Sequence, residues 1–347
     1  MRIWYNRHFA VVARVVKLLR EASPTLPLEV LVSHRHAHFV GYAYADDAFV
    51  EPAGLEADEY LAWCLKTAEE RGVEVLVPGH EQSYLTQHAH LFEAIGCRVW
   101  RAAPPGILPN LHRKEWVYEH AAHLVALPEY RVADTPDQVR EAVVAIERNG
   151  TIETCLKPCV SVYGKGYGRI TAQVARADQA RQSVDEWVRS NAQEGACDRQ
   201  IVMEYLPGPE YSVDLAARNG DMLAAVVRQK PLTGMGQLLV DFPEMLKAAR
   251  RLVGEFDLNG VINIQFRDHS DGGARLLEIN PRASGGIGMS CMSGVNLPDV
   301  ALRAFLDSDY APTTRPVLGV RVAEVPTAVI LPQTEPLQVA ATLEGAA

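Results

Sequence analysis

The chain has 347 residues, with 34 Lys and Arg against 43 Asp and Glu, a net charge of −9, and 48% hydrophobic against 22% charged residues. At about 150 residues per domain this predicts two or three domains, with enough interior to fold without a disulfide or structural metal. The acidic balance argues against general affinity for nucleic acid or anionic membrane, and no apolar run reaches the roughly 18 residues of a transmembrane helix.

Residues 1–110 alternate strand and helix. Residues 3–5 read as a short apolar strand rather than a secretory stretch. Phe9, Val12, Val16 and Leu19 follow at helical spacing, 28–33 is the next strand, and Leu61, Leu65 and Ala68 mark a second amphipathic helix. Residues 73–77 form a buried-type strand stopped by Pro78-Gly79, 82–95 read as one helix, and 97–100 as a strand. This alternation predicts a parallel sheet with covered faces. No G-x-G-x-x-G follows the first strand, which argues against a dinucleotide site there.

Residues 111–203 open with Lys114 ahead of a helix. A capped helix follows, with Thr135 at N-cap, Pro136 at N1 and Gln138 at N3. After a strand over 152–157 comes Ser161-Val162-Tyr163-Gly164-Lys165-Gly166-Tyr167-Gly168. Without a Cβ, Gly164, Gly166 and Gly168 let backbone N–H groups wrap phosphate oxygens, and Lys157 is placed to reach a phosphate as a point charge. Taken alone, the segment fits a surface hairpin as well.

Residues 204–310 read mainly as antiparallel strands. Arg218-Asn219-Gly220-Asp221 is a strong hairpin signal, because Asn-Gly supplies positive φ. A helix over 244–255 is expected behind an Asp241/Glu244 capping box, and strands 261–267 and 274–280 flank Asp271-Gly272-Gly273. If those two strands pair, Gln265 lies opposite Glu278, and Asn263 and Asn280 share the same face, with Leu277 and Ile279 packing underneath. One carboxylate among several amide oxygens suits Mg²⁺ that borrows phosphate oxygens, and Arg282 just beyond suits a transferring phosphoryl group. An exposed polar sheet face without an ion fits the same pattern. Met203-Glu204-Tyr205-Leu206-Pro207-Gly208-Pro209-Glu210 is a strand end and turn, which also fits a plain hinge. Residues 311–347 hold two strand-like runs and a small polar tail.

In this order, Lys114, Lys157 with its glycine loop, the Glu204/Glu210 hinge, Gln265 and Glu278-x-Asn280-Pro281-Arg282 resemble the ATP-grasp superfamily. The nearest flavour is the carbamoyl-phosphate synthetase and carboxylate–amine ligase branch, and the resemblance covers about residues 70–310. More weakly, the chain is similar to ATP-grasp proteins of tellurium-resistance gene clusters. The resemblance implies an α/β and α+β protein: a Rossmann-like parallel-sheet domain over 1–110, then an ATP-grasp fold with a lid subdomain over 111–203 and an antiparallel-sheet subdomain over 204–310.

It further implies ATP phosphates on Lys114 and Lys157, a lid at Gly164, Gly166 and Gly168, adenine at Glu204 and the Leu206 backbone, and ribose at Glu210. Gln265, Glu278 and Asn280 would bind Mg²⁺, with Mn²⁺ as an alternate, and Arg282 and Lys157 would be catalytic. Two departures from the family pattern stand out: the lid carries tyrosines, and Gln265 stands where many relatives have glutamate. The implied activity is a cytoplasmic ligase that activates a small carboxylate as an acyl phosphate and passes it to an amine, releasing ADP and phosphate, with a homodimer expected by analogy. Alternatives are an ATP-binding sensor with little turnover, or phosphorylation of bicarbonate or carbamate. No second ATP-grasp copy and no glutaminase-like segment stand in the sequence.

His80 and Glu81, at the end of a parallel strand, are substrate-site candidates. The run His34-Arg35-His36-Ala37-His38 reads as a surface loop rather than a metal site, since no fourth ligand is in sight. His88 and His90 fall two apart on the expected helix and do not face each other. The six cysteines, none in a C-x-x-C pair, read as reduced thiols. Among them Cys155 and Cys159 read as packing residues, and Cys291 lacks a histidine partner.

Overall fold

The computed structural model of the chain describes residues 1–22, 27–148, 153–161, 164–173, 181–191, 198–332 and 334. Strands β1 (Arg2–Asn6), β2 (Glu29–His34), β3 (Asp47–Val50), β4 (Val75–Pro78) and β5 (Arg98–Val99) form a parallel sheet in the order β3-β2-β1-β4-β5. Helices α1 (Val12–Ala22), α2 (Ala57–Glu70), α3 (Gln82–Gln87) and α4 (Ala89–Ala94) link them. Both faces are covered, as the near-continuous apolar strands require: Ile3 and Tyr5 face α1, while Trp4, Leu31 and Leu76 face the α2 side. Strand order reverses around β1, so the carboxyl ends of β1 and β4 bound a crevice of the kind where open α/β sheets bind ligands.

After α5 (Lys114–Ala121) comes a second sheet. It comprises β6 (Tyr130–Ala133), β7 (Thr154–Pro158), β8 (Gly168–Thr171), β9 (Arg181–Ser183) and β10 (Gln200–Glu204), ordered β6-β10-β7-β8-β9. Helices α6 (Pro136–Arg148) and α7 (Val184–Asn191) pack on it through Val139, Val143, Ile146 and Val188. The Gln138 N–H donates to Thr135 Oγ1 at 3.3 Å, the expected cap.

The third sheet is antiparallel: β11 (Glu210–Arg218), β12 (Asp221–Gln229), β13 (Gln237–Val240), β14 (Gly260–Asp268), β15 (Ala274–Asn280) and β16 (Arg321–Val322), ordered β15-β14-β11-β12-β13-β16. The β11–β12 turn has Asn219 at φ 46° and Gly220 at φ 79°, as its sequence demands. Helices α8 (Pro243–Glu255), α9 (Ile287–Cys291) and α10 (Leu297–Leu306) complete this part. The first domain is welded to it: α1 shares one core with Ile287, Val295, Leu297 and Val300, and Asn296 Nδ2 donates to the Leu18 carbonyl at 2.7 Å.

Three local expectations are corrected, and one strand is new. The 82–95 helix is two short helices broken at His88, whose ring comes within 6.3 Å of that of His90. The α8 N-cap is Phe242 followed by Pro243, with no side-chain cap from Asp241. The short strand β3 had no sequence signal. Leu111, Val117 and Ala121 pack with the third sheet, not with the second. Among the described residues no helix is long and apolar enough to cross a membrane.

Candidate active site

Two cavities meet at the seam of the three sheets. One, of about 380 Å³, lies between the second and third sheets and is lined by Lys157, Gly164, Tyr205, Leu206, Glu210 and Gln265 among others. The other, of about 360 Å³, lies against the first domain and is lined by His8, Pro78, Gly79, His80 and Glu81. They share Lys114, Ser161, Glu278, Asn280 and Arg282. These residues come from three separate segments, so the shared wall exists only in the folded chain.

The β14–β15 hairpin sets the acidic centre. Gln265 pairs with Glu278 and Asn263 with Asn280, which puts all four polar groups on one face. Asn280 Nδ2 donates to Glu278 Oε1 at 3.0 Å, and Gln265 Nε2 donates to Asn263 Oδ1 at 3.2 Å. A register shift after Gln265 makes Leu277 the extra residue. That corrects the packing: Leu276 and Ile279 go into the core, while Leu277 lines the larger cavity. The Leu277 carbonyl also accepts from Tyr118 Oη at 3.1 Å and Lys157 Nζ at 3.4 Å. The bulge therefore anchors Lys157 beside Glu278.

Lys114 is buried at the start of α5, and its backbone N–H donates to the Cys159 carbonyl at 3.0 Å. Its Nζ lies 3.2 Å from Ser161 Oγ and 4.0 Å from Glu278 Oε2. Burial pushes the pKa of both Lys114 and Lys157 down, and the Glu278 carboxylate opposes that shift in each. Arg282 lies over the Phe9 ring at 4.8 Å, and its Nη2 donates to Asn280 Oδ1 at 3.3 Å.

Behind the hairpin runs a buried network. Asn263 Nδ2 donates to Asp214 Oδ1 at 2.9 Å, and the other Asp214 oxygen accepts from Arg228 at 2.8 and 2.9 Å. The Arg228 guanidinium also reaches Gln237, Ser290 Oγ at 2.7 Å and Ser284 Oγ at 2.9 Å. It thereby fixes the turn after Arg282. A Cβ on Gly286 would stand 2.5 Å from Arg228 Nη1. Since that guanidinium cannot yield, Gly286→Ala is expected to cost about 1–3 kcal/mol, read as a lowered unfolding midpoint; an unchanged midpoint would show the turn to be slack.

Several expected site residues land elsewhere. Glu204 does not line the larger cavity: its carboxylate accepts from the Glu129 N–H at 3.0 Å and faces His269 at 3.1 Å. The neighbours Met203 and Tyr205 line it instead, because alternate strand residues face opposite ways. Of the three glycines only Gly164 lines the cavity. Gly166, at φ 76°, has no room for a Cβ, which would sit 2.7 Å from the Pro158 ring, and Gly168 begins β8. Val162 and Tyr163 of the expected lid, like Cys197, lie outside the described residues.

Glu210 lines the cavity and pairs with Lys230. Cys155 is buried, packs with Met203 and Leu206 and lines the cavity; burial raises its pKa to about 11 and that of Cys291 to about 12. Residues 35–38 are exposed, and the His34 ring stacks on Phe39 at 3.8 Å. Sequence reading missed Ser161, His8, Phe9, Arg267 and Tyr205 as wall residues. Of these, only His8 carried a signal, as it lies just past the end of a parallel strand at the crevice.

The second sheet and the antiparallel third sheet grip a cavity between them, behind a parallel-sheet domain. Residues 196–328 match the family described as ATP-grasp in the biosynthetic pathway with Ter operon. The fold is similar to that of an N5-carboxyaminoimidazole ribonucleotide synthetase in complex with ADP: TM-score 0.69, 15% identity, covering 92% of this chain and 80% of that one. It is also similar to an L-amino acid ligase from Bacillus licheniformis: TM-score 0.64, 14% identity, covering 91% and 77%. In sequence, 119 residues are 34% identical to carnosine synthase 1 of Gallus gallus, covering 30% of this chain and 13% of that protein.

Proposed function

We propose that this chain is an ATP-dependent ligase that joins a carboxylate to an amine through an acyl phosphate. The observation that carries the reading is the wall of Lys114, Ser161, Glu278, Asn280 and Arg282 common to both cavities. ATP in the larger cavity would present its γ-phosphoryl at that wall to an acid in the smaller one. The likeness to ligases in fold and in part of the sequence supports it.

In this reading Leu206 and its neighbours take the adenine and Glu210 the ribose. Lys114 and Lys157 neutralise the phosphates, and Arg282 steadies the charge that builds as the phosphoryl group leaves ADP for the carboxylate oxygen. Glu278 with the amide oxygens of Gln265 and Asn280 is a hard-oxygen set that fits Mg²⁺, one carboxylate plus neutral donors open onto a cavity. The metal would supply further charge neutralisation at the β- and γ-phosphates.

ADP and phosphate release with Mg-ATP tests this against a panel of acids, each with and without amines. Release of both products only when acid and amine are present is the expected result. Saturable nucleotide binding with no acceptor-dependent release across the panel would turn the reading toward a nucleotide sensor. Release with bicarbonate alone would turn it toward bicarbonate phosphorylation. Lys157→Ala should weaken nucleotide binding about 10- to 100-fold by calorimetry, since it deletes one charge-assisted contact. Unchanged affinity would remove Lys157 from the phosphate site.

A further inference from the structure

The smaller cavity is electrically two-ended. Its floor on the ATP-grasp side carries Lys114 and Arg282 with Glu278 between them, a setting for an acid and its phosphorylated form. On the side of the first domain, the ionisable groups lining it are His8, His80 and Glu81. Burial lowers the pKa of His8 and of His80 to about 4, with nearby Arg7 and Arg35 adding to the effect at His80, so both imidazoles are neutral at neutral pH. His112, at the cavity's edge, is shifted the same way. Arg7 is held 2.7 Å from the buried Glu51 carboxylate, and Arg35 rests on His36 at 3.2 Å. Glu81 is left as the one formal charge lining this end.

Glu81 is also firmly placed. The loop carrying it is pinned to β1 by the Gly79 N–H donating to Asn6 Oδ1 at 2.7 Å. A Cβ on Gly79 would stand 2.6 Å from the Asn6 carbonyl, so the loop lies flush against β1. Glu81 itself sits at φ 47°, a region costly for a side chain of its size and often held at functional sites. Its carboxylate has the neutral His80 ring 3.9 Å away.

Resting on the ligase reading, we propose that this end of the cavity is an ammonium-binding subsite, in which Glu81 holds the cationic head of the amine acceptor with His80 beside it. An acid held by Lys114 and Arg282 and an amine held by Glu81 would then lie head to tail in one cavity. The same polarity disfavours an acceptor with an anionic head at this end.

The probes are L-alaninamide, cationic near pH 7, and propionamide, its uncharged counterpart, titrated by saturation-transfer NMR in the presence of Mg-ADP. The chain should bind alaninamide about 10-fold more tightly than propionamide, the scale of one charged hydrogen bond. Glu81→Gln should erase that preference, and Glu81→Asp, which keeps the charge, should retain part of it. Equal binding of both probes, or a preference that survives Glu81→Gln, overturns the subsite.

The ligase reading is checked separately by trapping the acyl phosphate with hydroxylamine, an uncharged nucleophile near neutral pH. An ammonium preference with no hydroxamate from any acid would keep the subsite and sink the ligase. Hydroxamate formation with no ammonium preference would do the reverse.

Discussion

Glu278→Ala is expected to lower ATP-dependent ligation at least about 1,000-fold while leaving the fold in place. The carboxylate is the one anionic donor on the β14–β15 face, and it lies on the wall between the two cavities. It has a second task. Burial lowers the pKa of both Lys114 and Lys157, and the Glu278 carboxylate opposes that shift in each. On the proposed reading, its removal takes an opposite charge from beside both phosphate-holding lysines as well as the carboxylate from the metal set. The structural cost is small, because the side chain is 30% exposed and gives up one hydrogen bond from Asn280, about 1 kcal/mol. Glu278→Gln separates shape from charge: it keeps an oxygen for Asn280 and should be as inactive as the alanine variant. Product release at the wild-type rate in either variant would remove Glu278 from the chemistry.

The register of that hairpin was legible because strands have a period of two and the turn residues announce themselves. Gln265 opposite Glu278 and Asn263 opposite Asn280 follow from those two facts alone. The bulge at Leu277 does not follow, since an extra residue leaves no mark in an apolar run such as Leu276-Leu277. Glu204 shows the same difficulty from the other side. Its neighbourhood in the hinge was legible, but a one-residue change of parity decides whether a strand carboxylate meets the cavity or His269. The family resemblance carried the three-part plan, and each sheet is built from consecutive strands. The wall contributed by Phe9 was not legible, because it depends on how the first domain packs through α1 onto α9 and α10.

Asp214→Ala should be the most destabilising substitution near the site, at about 3–5 kcal/mol, with an unfolding midpoint lower by roughly 10 °C. Asp214 and Arg228 are 0% and 1% exposed, so deleting the acid strands a guanidinium in the interior. Replacing both by apolar residues, Asp214→Leu with Arg228→Met, should recover much of the loss, because no buried charge is left unpaired. Activity should not return with it. Asn263 would still lack the acceptor that orients its amide, and that amide's oxygen receives Gln265 and Asn280 at 3.2 and 3.3 Å. The turn at Ser284 and Ser290 would also lose the guanidinium that ties it to the sheet. Thermal melts and product release on the two single variants and the double variant form a complete cycle. Stability and turnover recovering together would mean that the pair only holds the fold. Stability recovering alone would place the Asp214–Arg228 pair behind the orientation of Glu278, Asn280 and Arg282.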